Sequence, residues 1–431
     1  MLFMEDLAKR IHINGERIRE RAILIGVVHK YQDRETVKEY LDELALLAET
    51  AGAEVVLKEI QERDIIDPAT YIGKGKVEYV SSLVTEFIAD MIIFDDDLSP
   101  AQVRNLENNC KVKVLDRSAI ILDIFAKRAR TREAKTQVEL AQLTYLLPRL
   151  TRRWTHLSRQ TGGTGIGLRG PGETQLETDR RLISKRIRTL DDELIKISKQ
   201  RHLRRQHRAD CYKVALVGYT NVGKSTLLNS LTNADIFVED RLFATLDSTV
   251  RRLEVNDNLN IVLIDTVGFI RKLPHQLVAS FKSTLEEIKD ADLLLHVADI
   301  SSLVVTDQIK AVQTVLEDIE SASKPVMYVF NKVDKVTDKT IMTRCQQEYS
   351  PCAFISATRG FFLNELRGKI IEFARGSYLD LNLTLDINDQ RELAQLYEIA
   401  TILDKKYLNN HIELLVRIKK DKFAYIEKYI N

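Results

Sequence analysis

The 431 residues are too many for one ordinary domain of roughly 150 residues, so about three separate cores are expected. Apolar residues make up 44% of the chain and charged residues 29%, which excludes disordered and fibrous classes. No apolar run is long enough for a signal peptide or membrane span, and four scattered cysteines without metal-binding spacing indicate a cytoplasmic setting.

Residues 1–116 alternate strand-like and helical runs, which predicts an α/β domain with parallel strand pairing. The strands are expected at 22–28, 55–57, 91–94 and 112–115, and the helices at 35–50, 77–87 and 101–108. Ser99 and Pro100 are typical of a helix cap and a first helical position, so the third helix should begin there.

Residues 117–208 are predicted to form a helical subdomain, because leucine and isoleucine recur there at heptad spacing. The seams are Leu140, Leu143, Leu147 and Leu150, then Ile183, Ile187, Leu190, Leu194 and Ile197. They predict an antiparallel coiled coil whose helices are joined by a glycine-rich loop, 158–177. This loop matches G-x-G-x-x-G by letter, but no strand precedes it, so we reject a dinucleotide site.

The helical subdomain also concentrates positive charge. Residues 127–208 hold 21 Lys and Arg against 8 Asp and Glu, a net +13, so the rest of the chain carries −12 although the total is only +1. Such a cluster of positive charge is typical of a protein that binds RNA. The loop 158–177 is expected to be exposed and to insert into a crevice of a large partner. The alternatives are a solvated charged coiled coil and a solvated loop.

Residues 209–375 contain a predicted phosphate loop. Gly218-Tyr-Thr-Asn-Val-Gly-Lys-Ser225 fits G-x-x-x-x-G-K-[ST] between an apolar strand and a helical run, which is the context that this motif requires. Its backbone N–H groups would surround phosphate, Lys224 would reach the β- and γ-phosphates, and Ser225 would bind Mg²⁺.

Two further motifs indicate GTP rather than ATP. Asn331-Lys-Val-Asp334 fits N-K-x-D, whose carboxylate accepts two hydrogen bonds from guanine, and Ser356-Ala-Thr358 fits the accompanying loop, where the Ala357 N–H would meet guanine O6. Asp265-Thr-Val-Gly268 fits D-x-x-G, with Asp265 holding Mg²⁺ through water and the Gly268 N–H meeting the γ-phosphate.

The first switch segment is expected at 243–249, where either Thr245 or Thr249 binds Mg²⁺; we favour Thr245. Phe269 stands where many GTPases carry a water-orienting glutamine, so we assign no catalytic side chain and expect slow hydrolysis that a partner stimulates. Asn221 is compatible with a K⁺ site or with a residue that only braces the loop.

The predicted nucleotide contacts therefore fall in five segments. They are Gly218, Tyr219, Thr220, Asn221, Val222, Gly223, Lys224, Ser225 and Thr226; Phe243, Ala244, Thr245, Leu246 and Asp247; Asp265, Thr266, Val267 and Gly268; Asn331, Lys332, Val333 and Asp334; and Ser356, Ala357 and Thr358.

Residues 376–431 are predicted to form a small α+β domain, with strands at 379–385 and 413–418 and helices at 391–399 and 423–429. The whole chain is thus expected to be an α/β multidomain protein: an N-terminal α/β domain with the coiled-coil subdomain, a P-loop GTPase domain whose mixed sheet has helices on both faces, and this C-terminal domain.

Several motifs ahead of the GTPase boxes resemble those of the HflX family. They are Tyr71-Ile-Gly-Lys-Gly-Lys76, Phe94-Asp-Asp-Asp-Leu-Ser-Pro-Ala-Gln102, Val114-Leu-Asp-Arg117, Gln137-Val-Glu-Leu-Ala-Gln142, Leu147-Pro-Arg-Leu150, Ser158-Arg-Gln160 and Gly170-Pro-Gly-Glu-Thr-Gln175. The resemblance covers residues 22 to 375. Glu133-Ala-Lys135, where we expect a glycine, and Ser248, where we expect a proline, depart from the pattern.

The resemblance implies a cytoplasmic, monomeric GTPase that uses GTP/GDP and Mg²⁺. It also implies binding to the large (50S) ribosomal subunit in the GTP state and separation of stalled or hibernating ribosomes, with rRNA met through residues 127–208 and loop 158–177. Two alternatives stay open: a regulatory GTPase switch with a protein partner, and an RNA-remodelling or ribosome-assembly factor with additional ATP-dependent activity in residues 1–116.

Overall fold

The computed structural model describes residues 19–30, 32–150, 171–206, 211–232, 242–243, 245, 249–255, 259–272, 282–338, 340–386, 393, 396–397, 400–408, 411–420 and 423. The chain divides into two compact units. The first unit comprises Met1–Leu194, Glu239–Leu246 and Lys272–Phe281, and the second comprises Ile195–Val238, Asp247–Arg271 and Lys282–Asn431. Among the described helices, none is long and apolar enough to cross a membrane.

The first unit contains a parallel four-stranded sheet. Its strands are β1 (Arg21–Val28), β2 (Glu54–Glu62), β3 (Met91–Phe94) and β4 (Lys113–Asp116), and the helices between them are α1 (Arg34–Ala51), α2 (Lys74–Glu86) and α3 (Pro100–Cys110). The order is β2-β1-β3-β4 and every pairing is parallel, which confirms the α/β prediction. Strand β2 is longer than expected because its second half, residues 58–62, is mostly charged or polar, which a half-buried edge strand tolerates.

Helix α3 begins where the sequence predicts. The Ser99 hydroxyl accepts a hydrogen bond from the Gln102 N–H, and the Gln102 side chain accepts one from the Ser99 N–H at 2.9 Å. Pro100 occupies the first helical position, where a missing N–H costs nothing. This reciprocal cap fixes the start of the helix.

Three further helices follow: α4 (Arg117–Arg128), α5 (Arg132–Leu146) and α6 (Pro171–Gln206), and the unit boundary falls within α6. Helices α5 and α6 are antiparallel, because Arg186 on α6 donates to Glu139 at 2.7 and 2.9 Å while the earlier Arg132 lies 3.7 Å from the later Glu193. The prediction that the loop extends to Glu177 is wrong, since α6 begins at Pro171. The remaining loop residues, up to 170, lie outside the described residues.

The second unit contains a six-stranded mixed sheet. Its strands are β5 (Tyr212–Gly218), β6 (Thr249–Leu253), β7 (Ile261–Asp265), β8 (Leu293–Asp299), β9 (Val326–Asn331) and β10 (Cys352–Phe354). The order is β10-β9-β8-β5-β7-β6, with only β6 antiparallel to its neighbour. The helices are α7 (Lys224–Thr232), α8 (Lys282–Lys289), α9 (Val305–Asp318), α10 (Thr340–Glu348) and α11 (Leu363–Gly376). The mixed sheet agrees with the predicted GTPase domain.

A small antiparallel sheet ends the chain. Its strands are β11 (Tyr378–Asp386), β12 (Thr401–Tyr407) and β13 (His411–Lys419), in the order β11-β13-β12. The two predicted strands are confirmed, whereas β12 was not predicted. Most of the helix expected at 391–399, and nearly all of the one expected at 423–429, lies outside the described residues.

Candidate functional site

The candidate site lies at the carboxyl ends of the parallel strands in the second unit, where the phosphate loop connects β5 to α7. Gly218 has φ +151°, and a Cβ on it would lie 2.2 Å from the Val297 carbonyl oxygen. Gly223 has φ +94°, and a Cβ on it would lie 2.4 Å from the Asn331 side-chain nitrogen. Only glycine fits at these two positions, so the backbone can turn tightly and present N–H groups to phosphate.

The Lys224 side chain lies folded onto the phosphate loop. Its ammonium donates to the carbonyl oxygens of Gly218 at 3.1 Å and Tyr219 at 2.7 Å, and the residue is only 7% exposed. Burial lowers the pKa of Lys224 to about 8, and the negative charge of Asp265 opposes this change. A bound phosphate would favour the charged ammonium, so nucleotide binding and protonation of Lys224 are linked.

We therefore expect nucleotide binding to take up protons above about pH 8, where the pKa of Lys224 leaves much of the free protein with a neutral amine. Calorimetric titration with a GTP analogue near pH 8.5, in two buffers of different ionisation enthalpy, measures this uptake. Affinity should fall as the pH rises further, and the uptake should be much smaller near pH 7. Identical enthalpies in both buffers near pH 8.5 would contradict the linkage.

Two oxygen-bearing side chains meet beside Lys224. The Ser225 hydroxyl donates to Asp265 Oδ2 at 2.6 Å, which joins the phosphate loop to the end of β7. Hydroxyl and carboxylate oxygens are the ligands that Mg²⁺ takes, usually one or two of them together with phosphates. The described residues contain no group of three or more His, Cys, Asp or Glu that could hold a metal alone. This donor set therefore fits a magnesium ion shared with a nucleotide.

The candidate threonines of the first switch differ in their surroundings. Thr249 is the first residue of β6 and pairs with Asp265 in the antiparallel ladder. Thr245 lies outside that strand and is half-buried. A residue that binds Mg²⁺ in only one nucleotide state must be able to move, and a residue in a ladder is less free to do so. The assignment of Thr245 stays a prediction that this difference favours.

The D-x-x-G segment is pressed against the phosphate loop. The Phe269 N–H donates to the Gly218 carbonyl at 3.0 Å, and the Thr220 N–H donates to the Phe269 carbonyl at 2.7 Å. A Cβ on Gly268 would lie 2.9 Å from Thr220 Cα, so glycine is required for this approach. Phe269 itself is only 2% exposed, so its ring is packed into the protein. It has no group with which to orient a water molecule.

A second link joins the same two segments two residues further along the chain, at Arg271. The Tyr219 hydroxyl accepts a hydrogen bond of 2.9 Å from the Arg271 N–H. Tyr219 was predicted only as part of the phosphate loop, and no role was predicted for Arg271. The tyrosine extends the pairing between the phosphate loop and the D-x-x-G segment, which we call the second switch, as far as Arg271, the residue before the chain passes into the first unit at Lys272.

The N-K-x-D motif holds the phosphate loop and the last loop of the site together. The Asn331 side chain donates to the Val222 carbonyl at 2.8 Å and accepts from the Ala357 N–H at 2.9 Å. The Lys332 ammonium donates to the Asn221 carbonyl at 2.9 Å and lies 2.7 Å from an Asp299 oxygen. These bonds bring three of the predicted segments to one place.

Asp334 is the carboxylate predicted to recognise the guanine base. Its pKa is lowered, first by a hydrogen bond from the Ser356 side chain, so the exposed carboxylate is ionised at neutral pH and can accept hydrogen bonds. The Ala357 N–H is already engaged with Asn331, so its predicted contact with guanine O6 would require that hydrogen bond to be shared or exchanged.

The backbone conformation at position 221 explains why asparagine is found there. Its φ is +58°, a left-handed conformation that asparagine tolerates better than most residues. The residue is exposed, and its carbonyl is braced by Lys332. Bracing therefore accounts for this position, and K⁺ binding stays a prediction.

Other predicted contacts have different places in the structure. The Thr266 hydroxyl donates to the Leu216 carbonyl at 2.7 Å and thereby ties β7 to β5. Phe243 is buried, with its ring 4.6 Å from that of Phe125. Thr358 is exposed, and Thr226 and Val333 are half-buried. The predicted contacts at 244, 246 and 247 lie outside the described residues.

His296, for which no role was predicted, is fully buried on β8 opposite Val217 of β5. Burial, with a smaller effect from the Lys224 charge, lowers the pKa of His296 to about 3, so the imidazole is neutral. Its Nδ1 forms no hydrogen bond within the described part of the chain. A lone histidine in an otherwise apolar strand was the only signal of it.

Three family models match consecutive segments. Residues 38–126 match the N-terminal part of a GTP-binding GTPase, residues 128–208 match its middle region, and residues 213–332 match the 50S ribosome-binding GTPase family. Together they cover most of the chain, including the phosphate loop and the first residues of N-K-x-D.

Curated relatives match over similar lengths. The GTPase HflX of Flavobacterium psychrophilum is 49% identical over 377 residues, which cover 83% of this chain and 91% of that protein. The GTPase HflX of Escherichia coli is 45% identical over 404 residues, 93% of each chain. A GTP-binding protein from Sulfolobus solfataricus, solved in complex with GDP, is 26% identical, with 83% of this chain and 99% of that chain covered and a TM-score of 0.43.

Proposed function

Because this chain belongs to the HflX family of GTPases and hydrolyses GTP, we propose that it binds the large ribosomal subunit in its GTP state and separates stalled or hibernating ribosomes. The family is ribosome-associated. The observation that supports the finer proposal is that Glu239–Leu246 and Lys272–Phe281, which contain part of the first switch segment and the residues that follow D-x-x-G in the chain, belong to the same unit as α5 and the part of α6 up to Leu194. A change at the γ-phosphate therefore has a physical route to the surface proposed to meet RNA.

Two side chains make this route specific. Phe243, in the first switch, packs its ring 4.6 Å from Phe125 of α4, and both residues are buried. Lys272, which follows the second switch motif, forms an ion pair with Asp96 and lies 3.4 Å from an oxygen of Asp95, directly after β3. Both contacts lie within the first unit. Movement of either switch would strain or release them.

Asp95 is itself part of a buried ion cluster. It is 3% exposed and lies 2.8 Å from the Arg117 guanidinium, which also lies 2.8 Å from Glu43. Buried charges held by several partners are costly to rearrange one at a time. Lys272, the residue at which the chain enters the first unit after D-x-x-G, is therefore held by a rigid part of that unit.

The exposed face of α6 supplies the proposed RNA contacts. Arg180, Arg181, Lys185 and Arg188 are all exposed, and none forms an ion pair with another residue in the described ranges. Cations that are not neutralised by the protein itself are available to phosphate groups. This favours an RNA-binding role over a solvated coiled coil, in which lysine and arginine are usually balanced by acidic neighbours.

The nucleotide would be held by the residues already described. Mg²⁺ would be bound by Ser225 and Thr245, with Asp265 acting through water, and would supply positive charge across the β- and γ-phosphates. The Gly268 N–H would contact the γ-phosphate and Asp334 would accept from guanine. K⁺ at Asn221 belongs to the same proposal.

We expect slow hydrolysis by the isolated protein, because Phe269 is buried and has no hydrogen-bonding group. The single-turnover rate should lie far below the roughly 5–20 s⁻¹ of partner-activated GTPases and should rise when large ribosomal subunits are added. Phosphate release from the protein with large subunits, with small subunits and alone measures this. An unstimulated rate in the tens per second would refute the expectation.

Sedimentation through sucrose tests the ribosome proposal directly. Large subunits, small subunits and 70S ribosomes are each mixed with the protein and a non-hydrolysable GTP analogue, GDP or no nucleotide. The protein should sediment with large subunits only in the presence of the analogue and should convert 70S ribosomes to free subunits. Equal sedimentation in all three nucleotide conditions would overturn the proposal.

A further inference from the structure

The third residue of the phosphate loop carries a hydroxyl group that the fold does not use. Thr220 is 5% exposed, and its Oγ1 is buried without a hydrogen-bond partner among the residues that the structure describes. Buried hydroxyl groups almost always have a partner, because leaving one unpaired is costly. A valine would fill nearly the same volume without that cost. The hydroxyl therefore requires an explanation other than packing.

Neighbouring polar side chains do have partners. The Lys224 ammonium donates to Gly218 and Tyr219, the Tyr219 hydroxyl accepts from Arg271, and the Thr266 hydroxyl donates to Leu216. The backbone of Thr220 is also engaged, since its N–H donates to the Phe269 carbonyl at 2.7 Å. The Thr220 hydroxyl differs from these groups because it has no partner among the described residues.

The position of Thr220 indicates what the hydroxyl would meet. A Cβ built on Gly268 would lie 2.9 Å from Thr220 Cγ2 and 3.1 Å from the Lys224 ammonium nitrogen. Thr220, Lys224 and Gly268 thus converge on one point. Lys224 and the Gly268 N–H are the groups that the two motifs assign to the terminal phosphate. The Thr220 atoms nearest Gly268 are Cα and the methyl Cγ2, and the hydroxyl shares its Cβ with that methyl, so rotation about Cα–Cβ would bring Oγ1 to the same ligand.

We propose that Thr220 is a specificity-determining residue for the terminal phosphate, and that its Oγ1–H donates to a γ-phosphate oxygen of GTP. The proposal rests on the GTP site described above and adds to it a side-chain contact that exists with GTP and is lost with GDP. Recognition of the γ-phosphate then comes from three donors: an ammonium, a backbone N–H and this hydroxyl group. The unpaired hydroxyl lowers the stability of the free protein in exchange for discrimination between nucleotides.

The test compares Thr220→Val, which keeps the shape and removes the donor, with Thr220→Ser, which keeps the donor. Fluorescence titration measures the dissociation constants of a GTP analogue with an imido β–γ bridge and of GDP. Thr220→Val should weaken the analogue by about 10- to 100-fold, as expected for one hydrogen bond to a charged oxygen, and should leave GDP within about twofold. Thr220→Ser should bind both nucleotides nearly as the unmodified protein does.

Thermal unfolding without nucleotide supplies a second readout. The midpoint of Thr220→Val should equal or exceed that of the unmodified protein, because an unpaired buried hydroxyl is removed. If Thr220→Val binds the analogue and GDP equally weakly, or if it binds both as tightly as the unmodified protein does, the proposal is overturned. The ribosomal function is tested separately. If Thr220→Val selectively loses binding of the analogue while the unmodified protein fails to sediment with ribosomes, the γ-phosphate contact is supported and only the proposed ribosomal function is wrong.

Discussion

Replacing Asp334 by asparagine is expected to weaken GTP binding by about 10²- to 10⁴-fold, because two hydrogen bonds to an ionised carboxylate contribute about 1.5–3 kcal/mol each. The lowered pKa keeps this carboxylate ionised at neutral pH. The asparagine NH₂ group is a hydrogen-bond donor and cannot accept from the guanine N1–H or exocyclic amine. It can instead pair with xanthine, which has a carbonyl where guanine has its amine, so xanthosine triphosphate should recover part of the lost affinity.

Asp338→Asn is the matched control. Asp338 is a nearby carboxylate that accepts from the Thr340 N–H at 2.9 Å at the start of α10, and the asparagine oxygen can keep that bond. This variant should bind GTP as the unmodified protein does. If Asp334→Asn keeps its GTP affinity, or if it loses GTP and xanthosine triphosphate alike, the assignment of the guanine-binding carboxylate is wrong.

Neutralising the four exposed cations of α6 together, as Arg180→Gln, Arg181→Gln, Lys185→Gln and Arg188→Gln, is expected to weaken binding to the large subunit by roughly 10²- to 10³-fold near 0.1 M salt. When binding is driven by counterion release, the logarithm of the binding constant falls with the logarithm of the salt concentration, with a slope of about 0.9 for each phosphate neutralised on a duplex. The salt dependence should therefore become shallower by about 3 to 4 units. Glutamine retains helix propensity, so α6 itself should persist.

The control for this variant is the double change Glu139→Gln with Arg186→Gln. It removes an exposed ion pair between α5 and α6 without altering net charge, and such pairs contribute little to stability. Subunit binding should then be unchanged. A regulatory switch with a protein partner predicts the opposite pattern, in which neutralising the four cations leaves nucleotide-dependent binding and its salt dependence intact.

Local pattern predicted many of the elements, and two of the omissions, α4 and β12, have local causes. Helix α4 lies in the subdomain predicted to be helical, but no separate helix was predicted there. Its buried residues Ile120, Ile121, Leu122, Ile124 and Phe125 make the segment apolar around most of its circumference, so it shows no helical period. Strand β12 was not predicted because it includes a run of charged residues, 404–406. It is an edge strand, and an edge strand needs few apolar residues on its exposed face.

The motifs of the nucleotide site could be placed from sequence because each follows an apolar strand, and the carboxyl ends of neighbouring parallel strands meet at one edge. The sequence could not predict the state of the side chains there. The lowered pKa of Lys224 results from burial, and the hydrogen bond between Tyr219 and Arg271 joins residues that are far apart in the chain. Neither has a signature in residue spacing.

The amino-acid sequence by itself determined the family, the GTPase chemistry, the parallel sheet of the first unit, the mixed sheet of the second and the basic helical subdomain, because these depend on short-range spacing, strand periodicity and charge counts. Only the tertiary structure decided that Phe243 packs on Phe125, that Lys272 pairs with Asp95 and Asp96, and that the Thr220 hydroxyl is buried without a partner within the described chain. Those facts depend on which distant residues exclude water from one another, and burial and pairing arise only when the folded chain brings them together.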